Sequence, residues 1–264
     1  NSFYAGIGKS KVQEGYSASD GMGLTDDDYP LAFGTPSPNG IAVDSTPGLV
    51  EAGYTYMSED YNYVLGITAK VTNGVNANGE GIGSGANRNH KDFWVGADFL
   101  FGDNASVGAM YYSGQKQQTQ TEPVDQPTFD YYPTTKRWGV FAHYKAFDHL
   151  DLLAGYIGGK EDWKTFETDP GSTFNTKGYF GEADVYIAQG FAVFGRYDQA
   201  NYDNPDPAFY YAVKNKQWIA GLVKTIAKRG FAKLYLQYID MKATDVTGVD
   251  TEDKLSKLGL DFSW

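Results

Sequence analysis

Charged side chains recur at alternate positions within otherwise apolar segments of this 264-residue chain. Counting along that alternation places Lys70, Lys116, Arg137, Lys145, Arg196, Lys233 and Lys257 on the same faces as Glu51, Asp98, Asp151, Glu182, Asp184, Asp198 and Asp261. His143 falls on the same face, beside Lys145. Two chemistries fit such a set. Opposed basic and acidic walls would set up a transverse field that orients small polar solutes in a narrow passage. The same pairs could instead be interior ion-pair struts that partly fill it.

Catalysis requires a nucleophile and a base held together. The sequence has no Cys and 3 His, at His90, His143 and His149. His90 lies close to Asp92, but no second motif completes a site, so no catalytic residue is assigned. The absence of Cys removes disulfides, a Cys nucleophile, a Cys-ligated zinc and covalently attached c-type haem. No metal or other cofactor is expected.

The elements that must carry these residues follow a period of two. Tyr61, Tyr63, Leu65, Ile67, Ala69 and Val71 fall on one face, against Asn62, Gly66, Thr68 and Lys70 on the other, with Val64 as the exception. The pattern returns in Phe93-Val95-Ala97-Phe99-Phe101, in Trp138-Val140-Ala142-Tyr144 and in Leu258-Leu260-Phe262-Trp264. Side chains alternate across a strand, so each segment is a ribbon with one apolar and one polar or small face. About 12 such ribbons are expected, at 1–9, 49–58, 61–72, 91–101, 104–117, 134–146, 149–160, 176–187, 190–200, 215–226, 230–241 and 254–264. Most have the length of a tilted membrane-crossing strand.

Connections alternate short and long. Ser58-Glu59-Asp60, Gly102-Asp103, Phe147-Asp148, Ala188-Gln189 and Ala227-Lys228-Arg229 have tight-hairpin lengths. Segments 10–48, 73–90, 118–133, 161–175, 201–214 and 242–253 are long and rich in Asp, Asn, Gly, Thr and Pro. Short turns at one end and long loops at the other describe an all-β, transmembrane, antiparallel up-and-down β-barrel, with periplasmic turns and extracellular loops. A single such domain over 1–264 is expected. Aromatics support two interfacial bands. Phe93, Trp94, Trp138, Tyr179 and Trp218 lie near one end, and Tyr61, Phe99, Phe101, Phe147, Phe191, Phe231, Phe262 and Trp264 near the other.

Composition agrees. Aromatics make up 16% of the chain, yet mean hydropathy is −0.46, as expected when half of each strand faces water. The net charge of −11 argues against a nucleic-acid partner, because phosphate contacts need an excess of Lys and Arg. No stretch approaches the ~18 apolar residues of a membrane helix. Residues 1–4 do not read as a signal peptide, so the expectation is a mature, exported chain.

The final segment, Lys257-Leu258-Gly259-Leu260-Asp261-Phe262-Ser263-Trp264, resembles the C-terminal strand of Gram-negative outer-membrane β-barrel porins. The strand ends Val71-Thr72-Asn73-Gly74-Val75-Asn76 and Phe101-Gly102-Asp103-Asn104 are similar to theirs. The resemblance implies an outer-membrane location and recognition of Leu258, Leu260, Phe262 and Trp264 by the barrel-assembly machinery. It also implies contact with the bilayer and its lipopolysaccharide, and passive diffusion of ions or small solutes without cofactors. A homo-oligomer or a partner protein is compatible with it. The alternatives are a structural or interaction barrel, such as a sheath around an electron-carrying cytochrome or a surface adhesin, and an outer-membrane hydrolase built on His90.

A barrel of 12 strands would have a backbone diameter near 24 Å and a free lumen of about 10 Å. Segment 10–48, with Asp26-Asp27-Asp28 and Pro30, Pro36 and Pro38, is long enough to be functional. It could fold into the pore as a constriction, bind a divalent cation, or stay a solvated acidic loop. The Gly81-Ile82-Gly83-Ser84-Gly85 stretch lacks the strand-then-helix context of a phosphate loop.

Overall fold

The alternation resolves into one continuous antiparallel sheet. The computed structural model describes residues 1–9, 48–60, 62–72, 91–115, 118–120, 129–131, 134–163, 172–188, 190–204, 211–227, 231–244 and 247–263. The strands are β1 (Ser2–Lys9), β2 (Gly48–Met57), β3 (Tyr63–Thr72), β4 (Asp92–Phe101), β5 (Ala105–Gln115), β6 (Gln118–Gln120) and β7 (Phe129–Tyr131). They continue as β8 (Thr134–Ala146), β9 (Leu150–Trp163), β10 (Ser172–Ala188), β11 (Phe191–Asn204), β12 (Tyr211–Ala227), β13 (Phe231–Thr244) and β14 (Asp250–Ser263). Twelve of them form a sheet in the order β1-β2-β3-β4-β5-β8-β9-β10-β11-β12-β13-β14, while β6 and β7 pair separately. Among the described residues no ladder joins β1 to β14.

The two faces of the sheet have opposite characters. One carries Val107, Tyr111, Trp138, Val140, Tyr144, Leu152, Tyr156, Tyr179, Val193, Trp218, Leu222 and Leu236, all exposed. Apolar surface this extensive is not stable against water and fits a hydrocarbon environment. The other face is buried or partly buried, polar and apolar side chains alike, most completely over β5 and β8–β13. No described helix is long and apolar enough to cross a membrane.

Aromatic rings cluster at both ends of the apolar face. At the short-turn end, Tyr63, Phe99 and Phe101 pack together, Phe99 lying 4.3 Å from Phe101 and 6.2 Å from Tyr63 between ring centroids. At the long-loop end, Tyr197 sits 4.5 Å from Trp218 and 6.0 Å from Tyr179, and Trp138 sits 5.3 Å from Tyr156. Amphipathic rings at two membrane–water boundaries give such bands. Trp94 departs from its expected place there. It shares a face with Gly96 and packs on the buried side, because its parity in β4 is that of Asp92 and Asp98.

The strands run further toward the long-loop end than the alternation suggests. Both flanks of the segments expected as loops at 161–175, 201–214 and 242–253 are strand, and β10 and β12 reach 17 residues each. Pairing continues there because Lys160-Glu161-Asp162 faces Phe174-Asn175 and Thr173 in unbroken register. Polar side chains on both faces do not weaken a ladder outside hydrocarbon, where the backbone groups still need partners. Segment 118–133 holds the β6–β7 pair rather than loop alone.

Short connections are fixed locally. Strand β3 begins at Tyr63, two residues later than expected, because Asp60 gathers the preceding turn. Its carboxylate accepts hydrogen bonds from Ser58 Oγ (2.6 Å), the Asn62 backbone N–H (3.2 Å) and Asn62 Nδ2 (2.6 Å). The Ser58 N–H closes the turn on the Tyr63 carbonyl at 2.9 Å. At Phe147–His149 a single 3-10 turn replaces the expected two-residue connection. Gly102 and Gly190 take φ of 57° and 78° at their turns, a region glycine enters without penalty.

Candidate functional site

The buried face is where sequence and fold converge. Its residues come from the polar parity of each strand, and cross-strand register decides which of them meet.

On β8 and β9, Arg137 Nη2 donates to Glu161 Oε1 at 2.8 Å, and both side chains are almost fully buried. On β10 and β11, Glu182 stands directly opposite Arg196. Arg196 Nε donates to Asp198 Oδ1 at 2.9 Å, and its Nη1 lies 3.8 Å from Glu182 Oε2. Asp184, also buried, continues the row opposite Asp151. These charges have the environment of struts. Arg137, Glu182, Asp184, Arg196 and Asp198, which the alternation places on one face, do occupy that face but are shielded by their neighbours.

The shielding is apolar. Met110, Phe141, Leu153, Ile157 and Phe180 form one cluster on this face, with Trp94 packed against it. Phe194, Ile219, Val223 and Ile239 form a second, flanked by Tyr235. Glycines make room for the rings: a Cβ at Gly155 would run into Phe180 and Phe141, and one at Gly221 into Phe194. The result on β9–β11 is a three-tier stack in which Phe180 lies on Gly155 and the Arg196 guanidinium lies over Phe180, 5.3 Å from its centroid. Gly96, Trp94 and Lys70 repeat the arrangement on β3 and β4, with Lys70 Nζ 5.2 Å from the ring centroid. Cation–π attraction holds the charge in place over each ring.

A second group of charges remains reachable. Lys70 Nζ lies 3.8 Å from Glu51 Oε2, with 14% and 24% of their side chains exposed. His143 Nε2 lies 3.9 Å from Asp151 Oδ1, both partly exposed, and Tyr186 donates to Asp151 Oδ2 at 3.1 Å. Lys145 stands opposite Asp151 across the β8–β9 hairpin. Asp98 is partly exposed between Gly66 and Gly108 on the neighbouring strands. Lys257 is half-buried opposite Gln237. Lys233 and Asp261 are register partners on β13 and β14. Lys116, His90, Trp264 and segment 10–47 lie outside the described residues. Leu258 is exposed on the apolar face of β14, and Leu260 and Phe262 continue that strand.

Two acids of this face, Asp92 and Glu161, were not among the expected site residues. Asp92 is buried and accepts a hydrogen bond from Tyr112 Oη at 2.8 Å. Glu161 falls in the segment 161–175 that the sequence pattern reads as loop. The signal was present: Glu161 continues the odd-numbered parity of Asp151, Leu153 and Ile157, and Asp92 shares the parity of Asp98.

No group of three or more His, Cys, Asp or Glu able to hold a metal occurs among the described residues.

No family model matches the chain, and no curated protein matches it in sequence. Solved structures do match. OmpT (in-vitro folded), an outer membrane protein of Vibrio cholerae, aligns over 98% of this chain and 76% of its own, with TM-score 0.64 and 12% identity. A loop L8 deletion mutant of that protein aligns over 98% and 75%, with TM-score 0.65 and 13% identity. Its trimer form gives 98% and 76%, TM-score 0.61 and 13% identity. At these identities the likeness concerns fold. The two-faced sheet, the paired aromatic bands and these neighbours together give the chain the fold of the Gram-negative outer-membrane β-barrel proteins, in agreement with an outer-membrane location.

Proposed function

We propose that the chain is a passive outer-membrane channel for small polar or charged solutes. What carries the reading is the division of inward charges into two populations. Arg137–Glu161 and Arg196–Glu182–Asp198 are buried and brace the wall. Glu51, Lys70, Asp98, His143, Lys145 and Asp151 keep part of their surface open on the same face. A wall that only supported itself would have no need of partly solvated charges at intervals across β2–β9. Partly solvated pairs line a water path at modest desolvation cost.

The measurement is single-channel recording in planar bilayers. Ohmic conductance with cation preference is expected, because the chain as a whole carries a net charge of −11. Glu51→Gln and Asp151→Asn should each shift the reversal potential toward anions. A folded, inserted barrel that stays electrically silent would overturn the reading.

A further inference from the structure

The alternation of β3 breaks at Val64, and Leu100 stands directly opposite it on β4. Both have the parity of Lys70 and Asp98, so both lie on the inner face. Leu100 keeps 39% of its surface exposed, and Val64 is partly exposed. Unlike the members of the two buried clusters, this apolar step is open.

Toward the long-loop end, the same two strands next present Gly66 and Asp98, which are register partners. Asp98 also faces Gly108 on β5, and Gly66 faces Thr55 on β2. A Cβ at Gly66 would meet nothing within 4 Å, so a slot opens over that backbone. Neighbouring strands lie about 4.8 Å apart, so Thr55 and Asp98 flank the slot across roughly 10 Å of sheet. Thr68 closes its long-loop side. Thr68 Oγ1 lies 2.9 Å from Tyr4 Oη, and the Tyr4 ring crosses Gly53 to reach it. The Val64–Leu100 step closes the short-turn side.

Asp98 is the charge left over in this part of the wall. Lys70, two residues beyond Thr68, is engaged by Glu51 at 3.8 Å and by the Trp94 ring. Among the described residues no hydrogen bond or ion pair reaches Asp98. On its other flank Ser106, opposite Leu100, is buried, and its Oγ has no hydrogen-bond partner. A partly buried carboxylate without a counter-charge is costly until a cation joins it.

We propose that the slot over Gly66 binds a primary alkylammonium ion, its ammonium on Asp98 and its alkyl stem on Val64 and Leu100. Acceptors on several sides suit a compact ammonium, whose three donors rotate freely, better than the planar fork of a guanidinium. A quaternary ammonium has no N–H to offer them. An inorganic cation gains nothing from the apolar step. The site rests on the channel reading and names its substrate class.

The test reads binding and passage separately on the full chain. Binding is followed by ligand-observed NMR of the folded barrel in deuterated detergent, against empty micelles. Passage is followed as block of potassium current in planar bilayers. Probes are methyl-, ethyl-, propyl- and butylammonium, with guanidinium and tetramethylammonium for comparison. Wild-type affinity should rise about 3-fold with each added methylene. Asp98→Asn should lose on the order of 10-fold for every primary amine. Glu51→Gln, which removes the same charge from the same wall, should lose no more than about 2-fold. Leu100→Ser with Val64→Thr should keep methylammonium binding and flatten the rise along the series. Gly66→Val has open space for its side chain and should lose binding although Asp98 is kept. Far-UV circular dichroism and heat-modifiability on gels report folding of each variant. Equal loss in Glu51→Gln and Asp98→Asn, no rise with stem length, or tetramethylammonium binding as well as butylammonium would overturn the site. Binding with these dependences to a barrel that passes no current would keep the site and overturn the channel reading. Current without saturable binding or block would do the reverse.

Discussion

Arg137 and Glu161 meet at 2.8 Å across the β8–β9 hairpin with 3% and 0% of their side chains exposed. Neither charge can be left alone in that setting. Breaking a buried pair by removing one partner leaves an uncompensated charge, at a typical cost of 3–5 kcal/mol. Glu161→Leu should therefore lower the unfolding free energy read from urea titration in detergent by about that amount. Arg137→Met combined with Glu161→Leu should recover most of the loss, as an apolar replacement of both partners often does.

The reachable pair behaves differently. Lys70 and Glu51 lie 3.8 Å apart and remain partly solvated, so their contribution to stability should be no more than about 1 kcal/mol. Lys70→Gln also gives up the contact with Trp94 and should cost no more than about 2 kcal/mol, well below the cost of Glu161→Leu, while raising cation preference in bilayer recordings. A stability loss as large as that of Glu161→Leu would show instead that the pair is a strut.

The stack of Gly155, Phe180 and Arg196 predicts a coupled response. Phe180→Ala removes a ring held between backbone and guanidinium and should cost about 3–5 kcal/mol. Gly155→Val pushes a side chain into the space of Phe180 and Phe141 and should cost about 1–3 kcal/mol. Because both changes act on one volume, the double variant should be less destabilised than their sum in a double-mutant cycle. Strict additivity would refute the contact.

Asp60 gives a pH signature outside the membrane. Hydrogen bonds from Ser58 and Asn62 hold its carboxyl below the usual aspartate value. A depressed folded-state value means that the turn is favoured above the unfolded value and loses that contribution as pH falls through the folded one. Protection of the Asn62 and Tyr63 amides, measured against their intrinsic exchange rates at each pH, should fall selectively under acid. Asp60→Asn should show reduced protection already at neutral pH and no further loss of protection on acidification.

Much of the architecture was legible in the residues. Alternation over Trp138-Val140-Ala142-Tyr144 located a strand and its lipid-facing side, because the pleat makes parity a property of local sequence. The alternating loop lengths ordered the strands, and all eleven neighbouring ladders of the main sheet follow chain order once the separate β6–β7 pair is set aside. Parity also contained the correct position of Trp94, although its nearness to the strand start suggested the aromatic band.

What local pattern does not contain is register, and register decided the site. Whether Arg196 meets Glu182 and Asp198, or Lys136 meets Lys160, depends on how far one strand slides against the next. Burial depends on it too: Phe180 covers Gly155 and is covered by Arg196 only because three strands lock in one register. By itself the sequence determined which residues share a face. Tertiary structure alone decided which inward charges become buried struts and which stay open to solvent, because desolvation is set by neighbours distant in the chain.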